Sequence, residues 1–463
     1  MNDVDRNSRL DAFVENPRRA LWRLAVPVMI GMSIQTLYML VDMAFVGRLS
    51  SSALAALAFN MPIVFLGLGV VFGLGTGVTA VIARYIGARE KRLADSSAEH
   101  AVALGIALAV VFSSVAYLWG KALLSALGET PELMPLAWGY FSYLAGGYVF
   151  VVMSVFFRSI LSGEGDTKTP MMIQGGAMIL NIFLDPLFIF TLGLGVKGAA
   201  LATVLSQAVA ASVFVYLLFF KEHAYVTFDL KDFRPSGMIL GEIFNVGAPA
   251  SFSFIVMAVG GMVFNRILIG FSEETVAAYQ VGARIDHIFM LSVIALSTGL
   301  VTLVGMYHGA KRKDLVRGIV GYAMRCSIWI SLVTGVVFFA AAPKLVGAFS
   351  QSETIGAIGG GYIRVIVFSY PFIAVVMLTG RALQGMGQGS PVFVLSLLRV
   401  VLLSAPAAYV FVYRMGKPVE WVWGSMVVAM VVTAAIALFW LRSELVRSER
   451  GIAECEPVPA GAR

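Results

Sequence analysis

Two aspartates set in otherwise apolar sequence are the residues of this chain best equipped for chemistry. Asp42 lies in TLYMLVDMAFVG and Asp185 in MILNIFLDPLFIF. Asn181 precedes Asp185 by four positions, which puts both on one face of a helix. Thr203, in GAALATVLSQ, could add a hydroxyl. Two carboxylates, an amide oxygen and a hydroxyl are hard oxygen donors, suited to a small cation or to a proton shared between the acids. The plainer alternative pairs each acid with a neighbouring arginine or with interfacial water, and leaves Thr203 as an ordinary helix–helix contact. Gln35 and Tyr38 stand one to two turns before Asp42 and are candidates for lining a cavity beside it.

The surroundings of these acids set their cost. Of 463 residues, 59% are hydrophobic and 13% charged, against about 25% charged in a soluble domain. Uncharged stretches recur from Leu24 to Leu441, most of them long enough for the roughly 20 residues that cross a bilayer. Backbone groups in lipid must be satisfied internally, so such runs are helices; a barrel would show short alternating segments, and none is present. The chain reads as an all-α integral membrane protein with twelve spans. They fall near 17–47, 53–86, 97–119, 135–162, 170–191 and 197–220, then 237–270, 275–307, 315–343, 357–384, 391–412 and 418–443. A carboxylate inside a span is expensive and as a rule faces the protein interior, where it has a task.

The polar opening MNDVDRNSRLDAFVENPRRA lacks the pattern of a removable signal peptide. Cys326 sits in an apolar run and Cys455 in the polar tail, so no disulfide framework is expected. The formal charge of +7 needs no nucleic acid to explain it. Arg18, Arg19 and Arg23 crowd the first span, Arg89, Lys91 and Arg92 the second connection, and Lys311, Arg312, Lys313 and Arg317 the eighth. Arg442, Arg447 and Arg450 follow the last span. The opposite loops are poorer: Arg48, then Lys121 with Glu129 and Glu132, then Glu273 and Glu274. By the positive-inside rule both termini are cytoplasmic, in a prokaryotic plasma or inner membrane.

An internal repeat organises the spans. Residues 73–90 read GLGTGVTAVIARYIGARE and residues 295–312 read ALSTGLVTLVGMYHGAKR. Thr76/Thr298, Gly77/Gly299, Tyr85/Tyr307, Gly87/Gly309 and Ala88/Ala310 coincide at an offset of 222, as do Gly139-Tyr140 and Gly361-Tyr362. Arg158 pairs with Arg381 and Pro170 with Pro391 within one residue of that offset. Six spans per half place both halves in the same orientation, related by a pseudo-twofold axis along the membrane normal. The expected organisation is a segment 1–16, a six-helix lobe 17–220, a hinge-like linker 221–237, a second lobe 238–443 and a tail 444–463. Two lobes around a central cavity suit alternating access. Asn265 stands where the repeat would place Asp42, and Pro406 where it would place Asp185, so the acids belong to the first lobe alone.

Asn16-Pro17 reads as a cap and first helical position. Pro27 frees the carbonyl of Arg23 and bends the first helix, as a static kink or a moving one; Pro186 does the same after Asp185. GEGDTKTP, residues 163–170, lacks phosphate-loop spacing and reads as a tight turn. His100, His223, His287 and His308 are scattered, so neither a metal centre nor an embedded enzyme is expected. Arg266, Arg364 and Arg399 read as buried cations of the second lobe that pair with Asp286 or with helix carbonyls, or else hold an anionic ligand.

The early Ala25-Val26-Pro27, the acidic first span followed by Phe45-Val46-Gly47, and Ile86-Gly87-Ala88 form a recognisable series. It continues with Arg158-Ser-Ile-Leu, then 163–170, then Asn181-Ile-Phe-Leu-Asp185-Pro186. In order and spacing it resembles the multidrug and toxic compound extrusion (MATE) family of antiporters, over about residues 17–443. The resemblance implies proton- or sodium-driven export of amphiphilic, often cationic compounds. It implies that Asp42, Asn181, Asp185 and Thr203 match the family's amino-lobe cation site, with Tyr140 beside it, and that Pro27 matches the residue where the first helix bends on protonation in one branch. The acidic residues that other branches carry in the carboxyl lobe are missing. The expected partners are a small-molecule substrate and membrane lipid, with no nucleic acid, no cofactor beyond a sodium ion, and a monomer as the working unit. The alternative is a flippase or exporter of a lipid-linked or anionic molecule.

Overall fold

The computed structural model describes residues 11–128, 130–221, 223–228 and 233–453. Among them are twelve helices long and apolar enough to cross a membrane. Glu129, Cys455, the first ten residues, the end of the tail, the Arg450 side chain and part of the linker lie outside the described residues. The amino-terminal lobe consists of α1 (Pro17–Gly47), α2 (Ser51–Gly87), α3 (Lys91–Ala126), α4 (Met134–Gly163), α5 (Lys168–Thr191) and α6 (Val196–Phe220). The carboxyl-terminal lobe consists of α7 (Gly237–Leu268), α8 (Glu273–Gly309), α9 (Lys313–Gly347), α10 (Glu353–Gly385), α11 (Ser390–Arg414) and α12 (Glu420–Ala453). The last helix outruns its expected end by ten residues, so the tail begins as helix. Pro17 opens α1 as expected, although the Asn16 side chain caps nothing.

The repeat is written into the backbone as well as the sequence. Ser50 and Ser272, 222 apart, are both extended N-caps; their hydroxyls accept from Ala53 N at 3.0 Å and Thr275 N at 3.2 Å. Such caps satisfy one of the free donors at a helix start. At the other end of α2 and α8, Arg89 (φ 59°) and Lys311 (φ 57°) occupy the left-handed position that closes the helix. Glu90 N donates to Tyr85 O and Arg312 N to Tyr307 O, each at 2.9 Å. Glycine is usual there because a side chain in that conformation costs about 1–2 kcal/mol. Gly165 and Gly387 (φ 82° and 92°) close α4 and α10 in the same way. The turn expected at 163–170 is therefore a helix C-cap, fixed by Asp166, which accepts from Lys168 N and Thr169 N.

The lobes meet along the half of the helices nearer the two termini. There α2 and α8 cross so closely that a Cβ on Gly87 would strike the Met306 carbonyl oxygen, and one on Gly309 the Arg84 carbonyl oxygen. Small residues permit such backbone approach where lipid gives no hydrophobic incentive for helices to associate. Polar contacts secure the same face. Arg84 pairs with Glu242 at 3.0 Å, Tyr307 Oη donates to Phe13 O at 2.6 Å, and Trp22 Nε1 to Tyr322 Oη at 3.1 Å.

The linker is more than a tether. Glu164 accepts from Tyr225 N (2.9 Å) and Val226 N (2.8 Å), Asp95 accepts from Thr227 N (2.9 Å), and His100 Nε2 accepts from Ser236 N at 2.7 Å. Two carboxylates and an imidazole of the first lobe thus hold its backbone on the terminus side.

A methyl group at the α2–α8 crossing should hold the lobes apart. Gly87→Ala is expected to disfavour the closed terminus side by about 1–3 kcal/mol, the usual cost of overpacking. Spin labels at Arg92 and Asp314, read by pulsed EPR, would then show a population at longer distance. An unchanged distribution would mean that the crossing yields without separating the lobes.

Candidate ion-binding site

The expected ligands come from four helices and converge in the half of the first lobe away from the termini. Tyr38 and Asp42, four apart, share a face of α1; Asn181 and Asp185 do the same on α5; Tyr140 enters from α4 and Thr203 from α6. Asp185 interacts electrostatically with Asp42, and both acids with Tyr38 and Tyr140. Tyr38 also lies beside Thr203, whose hydroxyl donates to Ala199 O at 3.1 Å. Gln35 joins none of these interactions and stands partly exposed on α1.

Local sequence explains the placement. Pro186 interrupts the hydrogen-bond ladder of α5 directly after Asp185, and the helix continues as a π-helical turn, Leu187–Thr191. Such widened turns recur at functional sites. Small residues on α6, Ala199 and Ala200, both buried, let it pack together with its Val196 beside Tyr140 and Ile189. That cluster covers the acids on the side away from the termini.

The site is unfinished in its hydrogen bonding. Asp185 is fully buried and Asn181 is 2% exposed; no protein N–H or O–H donor reaches the Asp185 oxygens and both polar atoms of the Asn181 amide lack a partner, while the Asp42 carboxyl lies close enough to Asp185 to share a proton with it. Each buried polar group left without a partner costs about 1–3 kcal/mol. Four such atoms on one helix face, beside a second carboxyl, form a donor set that a proton or a small hard cation would complete. A sodium ion fits this set chemically, with Asp42, Asn181, Asp185 and Thr203 supplying oxygens.

The corresponding region of the second lobe differs, and here the sequence reading needs correction. Arg266 and Arg364 are exposed, not buried, and Asp286 on α8 pairs with no arginine. Its two oxygens accept from Tyr362 Oη and Tyr370 Oη, each at 2.6 Å. Tyr362 is the repeat mate of Tyr140, so the second lobe does keep an acid beside that tyrosine, contributed by another helix. Trp423 packs edge-on against Tyr362 with centroids 4.9 Å apart, and Phe289 stacks on Tyr370 at 4.0 Å. Asn265, the counterpart of Asp42, accepts from Gln280 at 3.0 Å. Sequence reasoning missed the role of Tyr370; a phenol eight residues after Tyr362 in the same span was the available signal. Among the described residues no group of three or more histidine, cysteine or acidic side chains could hold a metal ion.

Two repeat-related six-helix lobes in parallel orientation, one enclosing an unsatisfied acidic group, define a two-lobed membrane transporter. The MatE family model matches residues 27–187 and again 249–410, one match in each lobe at the offset of the repeat; the chain belongs to that family. It is 27% identical over 431 residues to a probable multidrug resistance protein NorM of Thermotoga maritima, covering 92% of each chain. It is 27% identical over 451 residues to an FAD transporter of Shewanella oneidensis, covering 96% of each. Among solved structures, one of MATE in the bent conformation superposes with a TM-score of 0.90 at 31% identity, over 95% of this chain and 97% of that one.

The contrast between lobes can be tested at Asp286. Tyr370→Phe removes one of its two donors and is expected to lower stability by about 1–3 kcal/mol, read as a lower midpoint of thermal unfolding in detergent. An unchanged midpoint would mean that the carboxyl finds another donor.

Proposed function

We propose that this protein is a secondary antiporter that exports amphiphilic organic compounds, often cationic, in exchange for protons or sodium ions. The observation that carries this reading is the buried Asp185, which no protein donor satisfies and which faces the Asp42 carboxyl beside the partnerless Asn181 amide. Buried acids left unsatisfied are retained at a cost only where a ligand completes them during the working cycle. The relative of Thermotoga maritima, described as a multidrug resistance protein, supports the cargo class.

The cycle follows from the geometry. Both termini face the cytoplasm in this reading, which the Lys and Arg residues at that end of the helices support; the closed terminus side then makes this an outward-facing state. An ion arriving from outside meets Asp42, Asp185, Asn181 and Thr203 and neutralises the acids. Neutralisation removes the electrostatic attraction for a cationic cargo, which leaves outward. With the acids neutral, α1 repacks against α5 and α6, and Pro27 is the point where its hydrogen-bond ladder is weakest. The lobes then part at the α2–α8 crossing, which opens the terminus side, the ion leaves inward, and fresh cargo takes its place.

The test is efflux of rhodamine 6G from cells expressing the protein. Asp42→Asn is expected to slow efflux by about tenfold or more, a loss of about 1.4 kcal/mol or more in coupling. Collapse of the proton gradient should do the same to the parent protein if protons drive it; removal of external sodium should do so if sodium does. Efflux unaffected by all three changes would overturn the proposal.

A further inference from the structure

The transport cycle above uses none of the arginines inside the helices, and two of them stand in an unusual relation. Arg158 on α4 and Arg381 on α10 are repeat mates. The Arg381 guanidinium reaches across the lobe boundary, its Nη1 donating to Thr76 Oγ1 at 2.9 Å and to Gln384 Oε1 at 3.2 Å. The guanidinium carbon of Arg158 lies 5.3 Å from the centroid of the Phe72 ring. Phe72 and Thr76 belong to one turn of α2, where the Thr76 hydroxyl donates to Phe72 O at 3.0 Å. A single helical turn therefore receives a guanidinium from each lobe.

Neither cation is balanced. Both side chains are partly buried, and their contacts are a threonine, a glutamine amide and an aromatic ring, all neutral. Among the described residues no carboxylate interacts with either. Two turns further along α2, Arg84 shows the ordinary solution, an ion pair with Glu242. Intramembrane charges are rare and as a rule paired, so an unpaired couple marks a place for a ligand of opposite sign. The Asp42–Asp185 group occupies the other half of the helices and offers no compensation.

We infer that Arg158 and Arg381 together form a recognition site for an anionic group, a carboxylate or phosphate, carried by the cargo. This rests on the transport reading above and adds a second charge preference to it. When the lobes part on the terminus side, the Arg381–Thr76 bond between them must break, and its guanidinium is freed to face that of Arg158 across the opened cleft. Guanidinium groups bind carboxylate and phosphate through paired N–H donors, so the opened cleft would capture an amphiphile by its acid.

Two xanthene dyes of similar shape separate charge from bulk: fluorescein is anionic and rhodamine 6G cationic. Binding to the purified protein in phosphatidylcholine nanodiscs would be read by fluorescence anisotropy. Arg158→Gln and Arg381→Gln are each expected to weaken fluorescein binding by about tenfold or more and to leave rhodamine 6G binding unchanged, which also certifies their fold. Should a glutamine variant lose both dyes, the lysine variants decide, since they keep the charge and should hold fluorescein binding within about tenfold of the parent. No fluorescein binding by the parent protein, or equal binding by parent and folded glutamine variants, would overturn the inference. Loss of fluorescein binding when phosphatidylglycerol enters the nanodisc would overturn cargo as the occupant and assign the arginines to a lipid headgroup. Rhodamine 6G efflux that ignores Asp42→Asn, collapse of the proton gradient and removal of sodium would sink the antiport reading while leaving the arginine result to stand by itself.

Discussion

The crossing of α2 and α8 is the constraint on which the remaining structure depends. Gly87 lies against the Met306 carbonyl and Gly309 against the Arg84 carbonyl, so each half of the repeat presents to the other the surface it receives. In lipid, apolar burial gives helices no reason to associate; close backbone contact and interhelical hydrogen bonds must supply it. Concentrating that contact at one end gives two rigid lobes joined by a short, tight seam. The seam is therefore the gate of that side: the α2–α8 crossing and the close contacts of α2 with α7 at Gly73 and Gly77 must separate for it to open. The Gly87 and Gly309 identities in the repeat are thus a statement about mechanism as well as ancestry.

Duplication made the two lobes alike in backbone and left them free to differ in chemistry. The extended serine caps, the left-handed closures at Arg89 and Lys311, and the glycine C-caps all repeat. The polar interiors do not. In the second lobe, two phenols satisfy Asp286 and aromatic rings close around them. Such a carboxylate has a donor on each oxygen and needs no ion to offset its burial. In the first lobe, Asp185 and Asn181 are more deeply enclosed than Asp286, and no protein donor satisfies them. An ion would therefore find a ready set of oxygens in one lobe and a filled site in the other.

Much of this was legible in the sequence because the bilayer allows so few solutions. Twelve apolar runs had to be helices, and their number per half decided the orientation of the repeat. The basic loops and Pro17 located most ends within a few residues, whereas α3 extends six and seven residues past its expected ends and α12 ten past its own. The acids of the first lobe were legible because charge is so rare within spans, and the i, i+4 spacing of Asn181 and Asp185 put them on one face. Asp286 was harder. Its partners lie 76 and 84 residues away, and hydroxyls carry no charge pattern by which a linear reading could match them to a carboxylate. The nearby Arg399 offered a more obvious partner that the fold does not use. The linker's attachments were hidden for a similar reason: nothing in its polar composition shows that Glu164 and Asp95 bind its backbone amides.

The charged groups inside the helices are sorted along the direction of transport. Acids without partners occupy the half away from the termini, within one lobe; arginines without counter-charges occupy the half near them, between lobes. A rigid-body rocking motion acts on these two sets differently. In the proposed cycle the acidic group would move as one body with its lobe, so its geometry would change only when α1 repacks, and ion binding would govern that event locally. The arginine pair spans the boundary, so its geometry changes whenever the lobes move, with no local event required. A ligand at the first set therefore reports on ionisation, while a ligand at the second reports on which side of the membrane is open. An exchanger needs both kinds of information, because occupancy by ion and occupancy by cargo must be mutually exclusive on each face for the cycle to run without slippage.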